Sequence, residues 1–203
     1  MAKERGSGPS RLIRAIAPGR FPHELSWLID NPLRRALLDP DTLAARLPIR
    51  DDSRVLELGP GSGFFSAALA RGLPRGHLEL VDVQPEMLAK AKQKLDAQGF
   101  TNIGYTTADA DLELPFPGAD FDLAVLIAVL GEIADKESCI RSLRRVLKPA
   151  GFLAIHEHLP DPDFISFGEL RSIVEQFGFE LHERLGPKWN YTATFRSTGK
   201  LSA

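Results

Sequence analysis

From Arg54 onward, short apolar runs alternate with stretches in which apolar residues recur every three or four positions. That is the pattern of strand–helix–strand units that build a parallel sheet. Arg54–Leu58, Leu78–Val81, Ile103–Thr107, Phe121–Val129 and Gly151–Ile155 read as strands. The run Phe121–Val129 is almost continuously apolar, which predicts a central strand covered on both faces. Between the strands, helices are predicted over Phe64–Leu73, with Phe65, Ala68 and Leu69 on one face, and from Pro85 to Gly99, with Leu88, Ala91 and Leu95 continuing the apolar side. Pro85 suits a first helical position because the N–H it lacks would have no partner there. A third helix carries Ile140, Leu143 and Val146 and closes at Pro149, and a fourth spans Phe167–Phe177. The tail alternates through Phe179 and Leu181 and, after Gly186-Pro187, through Tyr191, Ala193 and Phe195, as a terminal antiparallel pair does. The expectation is an α/β fold: a doubly wound sheet of seven strands, mostly parallel, with an antiparallel C-terminal strand.

The first fifty residues break the pattern. Residues 1–10 are polar and rich in Gly, Pro and Ser, as in a tail. Leu12, Ile13 and Ile16 then form a short apolar stripe flanked by Arg11 and Arg14 and stopped by Pro18-Gly19. Trp27, Leu28 and Ile29 precede Asn31-Pro32, and Leu33, Leu37 and Leu38 follow at helical spacing until Pro40 interrupts. Residues 1–50 therefore read as a tail with a helical cap and residues 51–203 as one globular domain, which suits a chain of 203 residues.

Composition narrows the chemistry. Lys and Arg number 25 against 27 Asp and Glu, a formal net charge of −2, so no general field draws in phosphate backbones and a nucleic-acid partner is disfavoured. Residues 1–50 hold nine of the cations against five acids, and Arg11, Arg14, Arg34 and Arg35 read as a solvated face. Cys139 is the single cysteine, which excludes an intrachain disulfide and a cysteine zinc cluster and fits a reducing cytoplasm. No apolar run reaches the roughly 18 residues of a transmembrane helix, and Met1 to Arg20 lacks the long apolar core of a secretory signal.

The informative segment is Glu57-Leu58-Gly59-Pro60-Gly61-Ser62-Gly63, between the first strand and its helix. Glycines allow a tight turn and let a ligand lie against bare backbone. Asp82 ends the second strand, where such sheets place a carboxylate on ribose hydroxyls, so loop and acid together describe a nucleoside site. A dinucleotide fingerprint beginning at Gly59 or Gly61 fails, because its sixth position is Phe64 or Ser66 where helix–strand packing wants Gly or Ala. Glu57, a carboxylate among apolar strand residues, needs loop amides or a ligand ammonium as partners.

Three alternate glycines after an acid resemble motif I of the class I S-adenosylmethionine-dependent methyltransferases, a Rossmann-like family. The resemblance continues through Val81-Asp82-Val83-Gln84-Pro85-Glu86-Met87-Leu88, through Asp109-Ala110, Leu114-Pro115-Phe116 and Phe121-Asp122-Leu123, and through Arg144-Arg145-Val146-Leu147-Lys148-Pro149-Ala150-Gly151. It spans roughly residues 50–196, and its nearest branch holds quinone-biosynthesis and other small-molecule methyltransferases. It implies S-adenosylmethionine as cofactor, S-adenosylhomocysteine as product, and residues 51–203 as the binding domain. By the same resemblance Gly59, Gly61 and Gly63 approach the methionine end, Glu57 supports the loop and the amino group, and Asp82 takes the ribose hydroxyls. Val83 and Met87 flank adenine, Asp109 accepts from its exocyclic amine, Ala110 lends an N–H, and the methyl faces the acceptor near Ile127 and Ala128. Met87 reads equally as core packing, and Asp82 also as a helix N-cap ahead of Pro85.

Transfer from a sulfonium is an in-line displacement that asks the protein mainly to align the nucleophile and exclude water. Where the acceptor must lose a proton, Glu132, His156, Glu157 and His158 are the candidate bases, with His156 and His158 on one face of a strand end and Glu157 on the other. His-Glu-His reads also as a polar strand exit. No HExxH spacing exists and no metal is expected. Phe21, His23, Trp27 and Asn31 of the cap are candidates for acceptor contact, though Phe21 and Trp27 also suit docking of the cap on the sheet. The chain lacks an Asn/Asp-Pro-Pro-Tyr/Phe segment and has too few thiols for arsenite chemistry, which leaves a small-molecule acceptor, with a lipophilic one in keeping with the basic apolar stripe. A nicotinamide-dependent oxidoreductase and a non-catalytic nucleoside-binding protein are the competing readings.

Overall fold

The computed structural model describes residues 39–198. Phe21, His23, Trp27 and Asn31, the cap residues expected at the acceptor, lie outside that span. In chain order the elements are α1 (Pro40–Ala44), β1 (Arg54–Leu58), α2 (Ser66–Arg71), β2 (His77–Asp82), α3 (Pro85–Asp96), β3 (Ile103–Thr107) and β4 (Phe121–Ile127). A 3-10 turn, Leu130–Glu132, then leads to α4 (Lys136–Val146), β5 (Leu147–His158), α5 (Phe167–Glu175), β6 (Phe179–Leu185) and β7 (Asn190–Ser197). The seven strands form one sheet in the order β3-β2-β1-β4-β5-β7-β6. Only β7 runs against the others: it pairs antiparallel with both β5 and β6, while every other pairing is parallel.

Side-chain alternation divides the core into two layers. Leu123, Val125 and Ile127 of β4 pack with Phe65, Leu69, Leu88, Ala91 and Leu95 of the α2 and α3 side. Ala124 and Leu126 face Ile140, Leu143, Leu170 and Val174 of α4 and α5. β4 is buried along almost its whole length, as its unbroken apolar run predicts. Leu43 and Leu47, from α1 and the chain after it, join the α2 and α3 layer.

Several boundaries depart from the pattern reading. Pro40 opens a helix: Asp39 caps it, accepting the Thr42 N–H at 3.0 Å, and proline costs nothing at the first turn; the helical spacing read from Leu33 to Leu38 lies outside the described residues. The helix expected over Phe64–Leu73 starts at Ser66, because the glycine loop holds the chain in turns through Phe65. β4 stops at Ile127, two residues before Val129, where Ala128 takes a φ of 55° that no strand continues. The helix before β5 ends at Val146, ahead of Pro149. Pro149 lies in the irregular start of β5, where pairing with β4 jumps from Phe121↔Leu147 to Leu123↔Phe152 and Ala150 turns at φ 61°.

The sheet order reverses between β1 and β4, so the connections after these two strands leave toward opposite faces. A crevice opens there at the strand C-termini, the place where open α/β sheets bind ligands.

Candidate functional site

The crevice is built from the ends of β1, β2, β3 and β4. Gly59, Gly61 and Gly63 all adopt left-handed backbone, with φ of 69°, 55° and 76°. Two of them are also crowded. A Cβ on Gly59 would fall 2.6 Å from Val129 Cγ2, and one on Gly63 would fall 3.1 Å from Ala91 Cβ on α3. Gly61 differs: among the described residues the nearest atom to a Cβ there is Met87 Cε at 4.0 Å, so within them its backbone is left uncovered. The loop is tied to the next strand by the Gly59 N–H, which donates to Val81 O at 2.8 Å, and β2 is tied onward by Ala108 N–H to Asp82 O at 3.1 Å.

Two acids stand at the foot of this loop. Glu57 is 2% exposed, and Ser66 Oγ at the start of α2 donates to its Oε2 at 2.6 Å. Burial pushes its pKa up to about 7; the Ser66 hydrogen bond opposes the rise and the nearby Asp82 charge adds to it. Asp82 is also buried, and its Oδ1 accepts the Gln84 N–H at 2.9 Å. Asp82 therefore shapes the turn into α3 rather than capping the helix, whose cap position is Gln84. Two neighbouring buried carboxyls beside bare backbone suit a ligand that brings positive charge and hydroxyl donors, which an amino-acid nucleoside sulfonium does.

Further along the strand ends, Val83 is half-buried and Met87 is buried at 3% exposure against the Gly61 segment. Asp109 accepts the Asp111 N–H at 3.0 Å and so forms the turn after β3, with Ala110 half-buried beside it. That turn belongs to a segment with no helix of its own. Arg145 of α4 holds it, donating to Phe116 O at 2.7 Å and Leu114 O at 2.6 Å, and Ser142 Oγ accepts the Leu114 N–H at 2.8 Å.

At the other side of the crevice, Ile127 and His156 are register partners, and the Ala128 N–H donates to His156 O at 2.8 Å. His156 is 2% exposed, with Nδ1 3.0 Å from Thr192 Oγ1 on β7. His158 shares its face, the two rings lying 5.8 Å apart. Glu157 points the other way, toward the α4 and α5 layer, and Glu132 is exposed on the 3-10 turn. Ser66, Val129, Arg145 and Thr192 escape a reading by motif. Each acts through a contact distant in sequence, although Arg145 stands inside a segment that the family resemblance already marks. Among the described residues no group of three or more His, Cys, Asp or Glu side chains is placed to hold a metal ion, and no helix is long and apolar enough to cross a membrane.

Sheet order, glycine loop and paired acids define a nucleoside-cofactor-binding α/β protein. Residues 49–191 match the family described as "Methyltransferase domain", and the chain belongs to it, as a class I S-adenosylmethionine-dependent methyltransferase. S-adenosylmethionine is accordingly its cofactor, in place of the nicotinamide alternative. The ubiquinone/menaquinone biosynthesis C-methyltransferase UbiE of Vibrio vulnificus is 34% identical over 139 residues, covering 68% of this chain and 52% of that protein. The Vibrio parahaemolyticus protein of the same name is 38% identical over the same shares. The chain thus spans about half the length of the curated relatives it matches. A solved S-adenosylmethionine-dependent methyltransferase from Aquifex aeolicus shares the fold at a TM-score of 0.79 and 23% identity, over 87% of this chain and 98% of that one.

Proposed function

We propose that this protein transfers a methyl group from S-adenosylmethionine, by in-line displacement, to a small lipophilic acceptor, an electron-rich ring of the quinone-precursor kind. The observation that carries the reading is the left-handed backbone of Gly61, open among the described residues, beside the buried Glu57 and Asp82. The relatives named as ubiquinone/menaquinone biosynthesis C-methyltransferases support the acceptor class.

When bound, the cofactor supplies an already activated methyl on sulfur. Glu57, once ionised, holds its ammonium, and Asp82 its ribose hydroxyls. Gly59, Gly61 and Gly63 lie against the methionine end, Val83 and Met87 flank adenine, and Asp109 and Ala110 meet the adenine edge. Ile127 marks where the methyl faces the acceptor. His156, His158 and Glu132 are the proposed acceptors of a proton from the substrate, with Thr192 orienting the His156 ring through Nδ1. Phe21, His23, Trp27 and Asn31, outside the described residues, are the candidates for acceptor contact.

Thermal unfolding with S-adenosylhomocysteine tests the cofactor half: the melting temperature rises with ligand concentration by linkage, and no shift at millimolar ligand overturns the reading. Methyl transfer to a panel of hydroxylated naphthalene and benzene rings tests the acceptor half. Binding without turnover on any ring or other small nucleophile favours the non-catalytic alternative.

A further inference from the structure

Glu157 is a carboxyl in the wrong place for a base and in a poor place for a charge. It is 1% exposed on the α4 and α5 side of β5, and among the described residues its Oε1 meets no hydrogen-bond donor. Its Oε2 accepts one backbone N–H, from Ile165 at 3.2 Å. Ile165 closes the segment that leaves β5 and crosses toward the end of β4. Its carbonyl is held as well, by Tyr191 Oη–H at 2.7 Å. Glu157 and Tyr191 thus grip the two peptide groups that flank Ile165 from the sheet below.

The far side of the same segment rests on the turn after β4. A Cβ on Gly131 would fall 2.0 Å from Asp163 O, so the two backbones are in contact. Lys136 Nζ secures that turn, donating to Gly131 O at 3.2 Å and Ile133 O at 2.7 Å. Residues 159–165 therefore form a strap from the end of β5 to the turn that follows Ala128.

We propose that Glu157 is a positioning residue which, in its uncharged form, keys this strap onto the Gly131 turn and so fixes the wall of the crevice beside the end of β4. That this wall borders the methyl acceptor rests on the reading given above; the latch itself does not.

The groups facing Glu157 agree with an uncharged carboxyl. Burial is the main effect and raises its pKa from 4.5 to about 8; the Ile165 N–H opposes the rise. Asp161 and Asp163 on the strap add to it, and Lys136 of α4 works against it. Tyr191 of β7 is neutral, and the Arg184 guanidinium lies over its ring at 5.4 Å with Glu169 of α5 nearby. Lifting the strap admits water and returns the carboxyl to its ordinary range. Opening therefore releases a proton between pH 4.5 and about 8, and closure weakens by up to roughly tenfold per pH unit across that window, levelling above it.

Amide hydrogen exchange at Ile165 in the full chain, corrected for intrinsic rates, reads this directly. Protection in the wild type falls by up to roughly tenfold per pH unit from about pH 5 to 8. Glu157→Gln keeps the acceptor oxygen and abolishes the slope. Tyr191→Phe lowers protection at every pH and retains the slope. Asp161→Asn, which leaves the carboxyl intact, moves the levelling-off to lower pH and serves if the glutamine variant does not fold. A flat wild-type profile, or an unchanged slope in Glu157→Gln, overturns the proposal. S-adenosylhomocysteine binding measured on the same samples separates the two readings: binding with no slope removes the latch alone, and a slope without binding removes the methyl-transfer reading alone.

Discussion

Glu57 shows how one side chain of the fold suits the proposed ligand. In the sequence it stands out as an acid among apolar neighbours, and the structure supplies the reason it is tolerated: one hydroxyl donor, from Ser66, and a pKa raised to about 7 by burial. The ionised form is the one that pairs with an ammonium. Below about pH 7 that form must first lose its proton, so affinity for S-adenosylhomocysteine falls by up to roughly tenfold per pH unit as the solution is acidified. Calorimetry at pH 6 in two buffers of different ionisation heat should register proton release on binding. Glu57→Gln removes that release and weakens binding; a wild-type affinity that is flat from pH 5 to 7 would take Glu57 out of the ammonium contact. Ser66 was not legible beforehand, since a serine in a helical stretch carries no signal until the loop brings it against Glu57.

At the scale of elements, the glycine loop joins two functions that mutagenesis can separate. Gly59 is required by packing, because a side chain there meets Val129, whereas among the described residues Gly61 has Met87 Cε alone at the edge of contact. Gly59→Ala therefore combines a clash with left-handed strain and costs about 1 to 3 kcal/mol of stability, seen as a lower unfolding midpoint in urea. Gly61→Ala bears the strain without the clash, so it unfolds nearer to wild type while losing S-adenosylhomocysteine affinity. Equal stability losses with equal affinities would contradict this division. Local pattern also misled in instructive ways. Pro149 reads as a helix stop, yet it lies in a strand irregularity, and Pro40 is itself the first residue of a helix; proline forbids a donor and fixes φ but does not say which element follows. The segment after β3 has no periodicity because it has no helix, and its order comes from Arg145 reaching across from α4.

For the whole molecule, the balance of buried carboxyls sets the pH dependence of stability. Glu57 and Glu157 lie on opposite faces of the sheet, both raised by burial, to about 7 and about 8. A raised carboxyl contributes its full share below its unfolded pKa of 4.5 and loses it as pH climbs through the folded value. Asp122 acts in the opposite sense. Burial works to raise it, but Lys148, the Arg54 N–H and Arg50 outweigh that and hold it below the usual range, so its contribution disappears on acidification. The melting temperature should peak near about pH 4 to 4.5 and decline toward pH 8, with Glu57→Gln and Glu157→Gln each flattening the decline. For Glu57 the pH-linked part amounts to about 3 kcal/mol. A melting temperature that rises steadily from pH 5 to 8 would show that neither acid is buried uncharged.

Sequence alone determined the alternation of strands and helices, the central place of β4, the terminal antiparallel pair and the glycine–acid signature of the candidate cofactor site. Each of these is written in local periodicity or in residue types that few other environments tolerate. Only the tertiary structure decided which face each strand-end residue meets and which distant partner completes it. Ser66 beneath Glu57, Thr192 beside His156 and Ile165 over Glu157 are pairings across 9, 36 and 8 residues. Strand order and the packing of helices on two faces create those contacts, and hydrophobic periodicity, being a property of neighbours along the chain, carries no record of them.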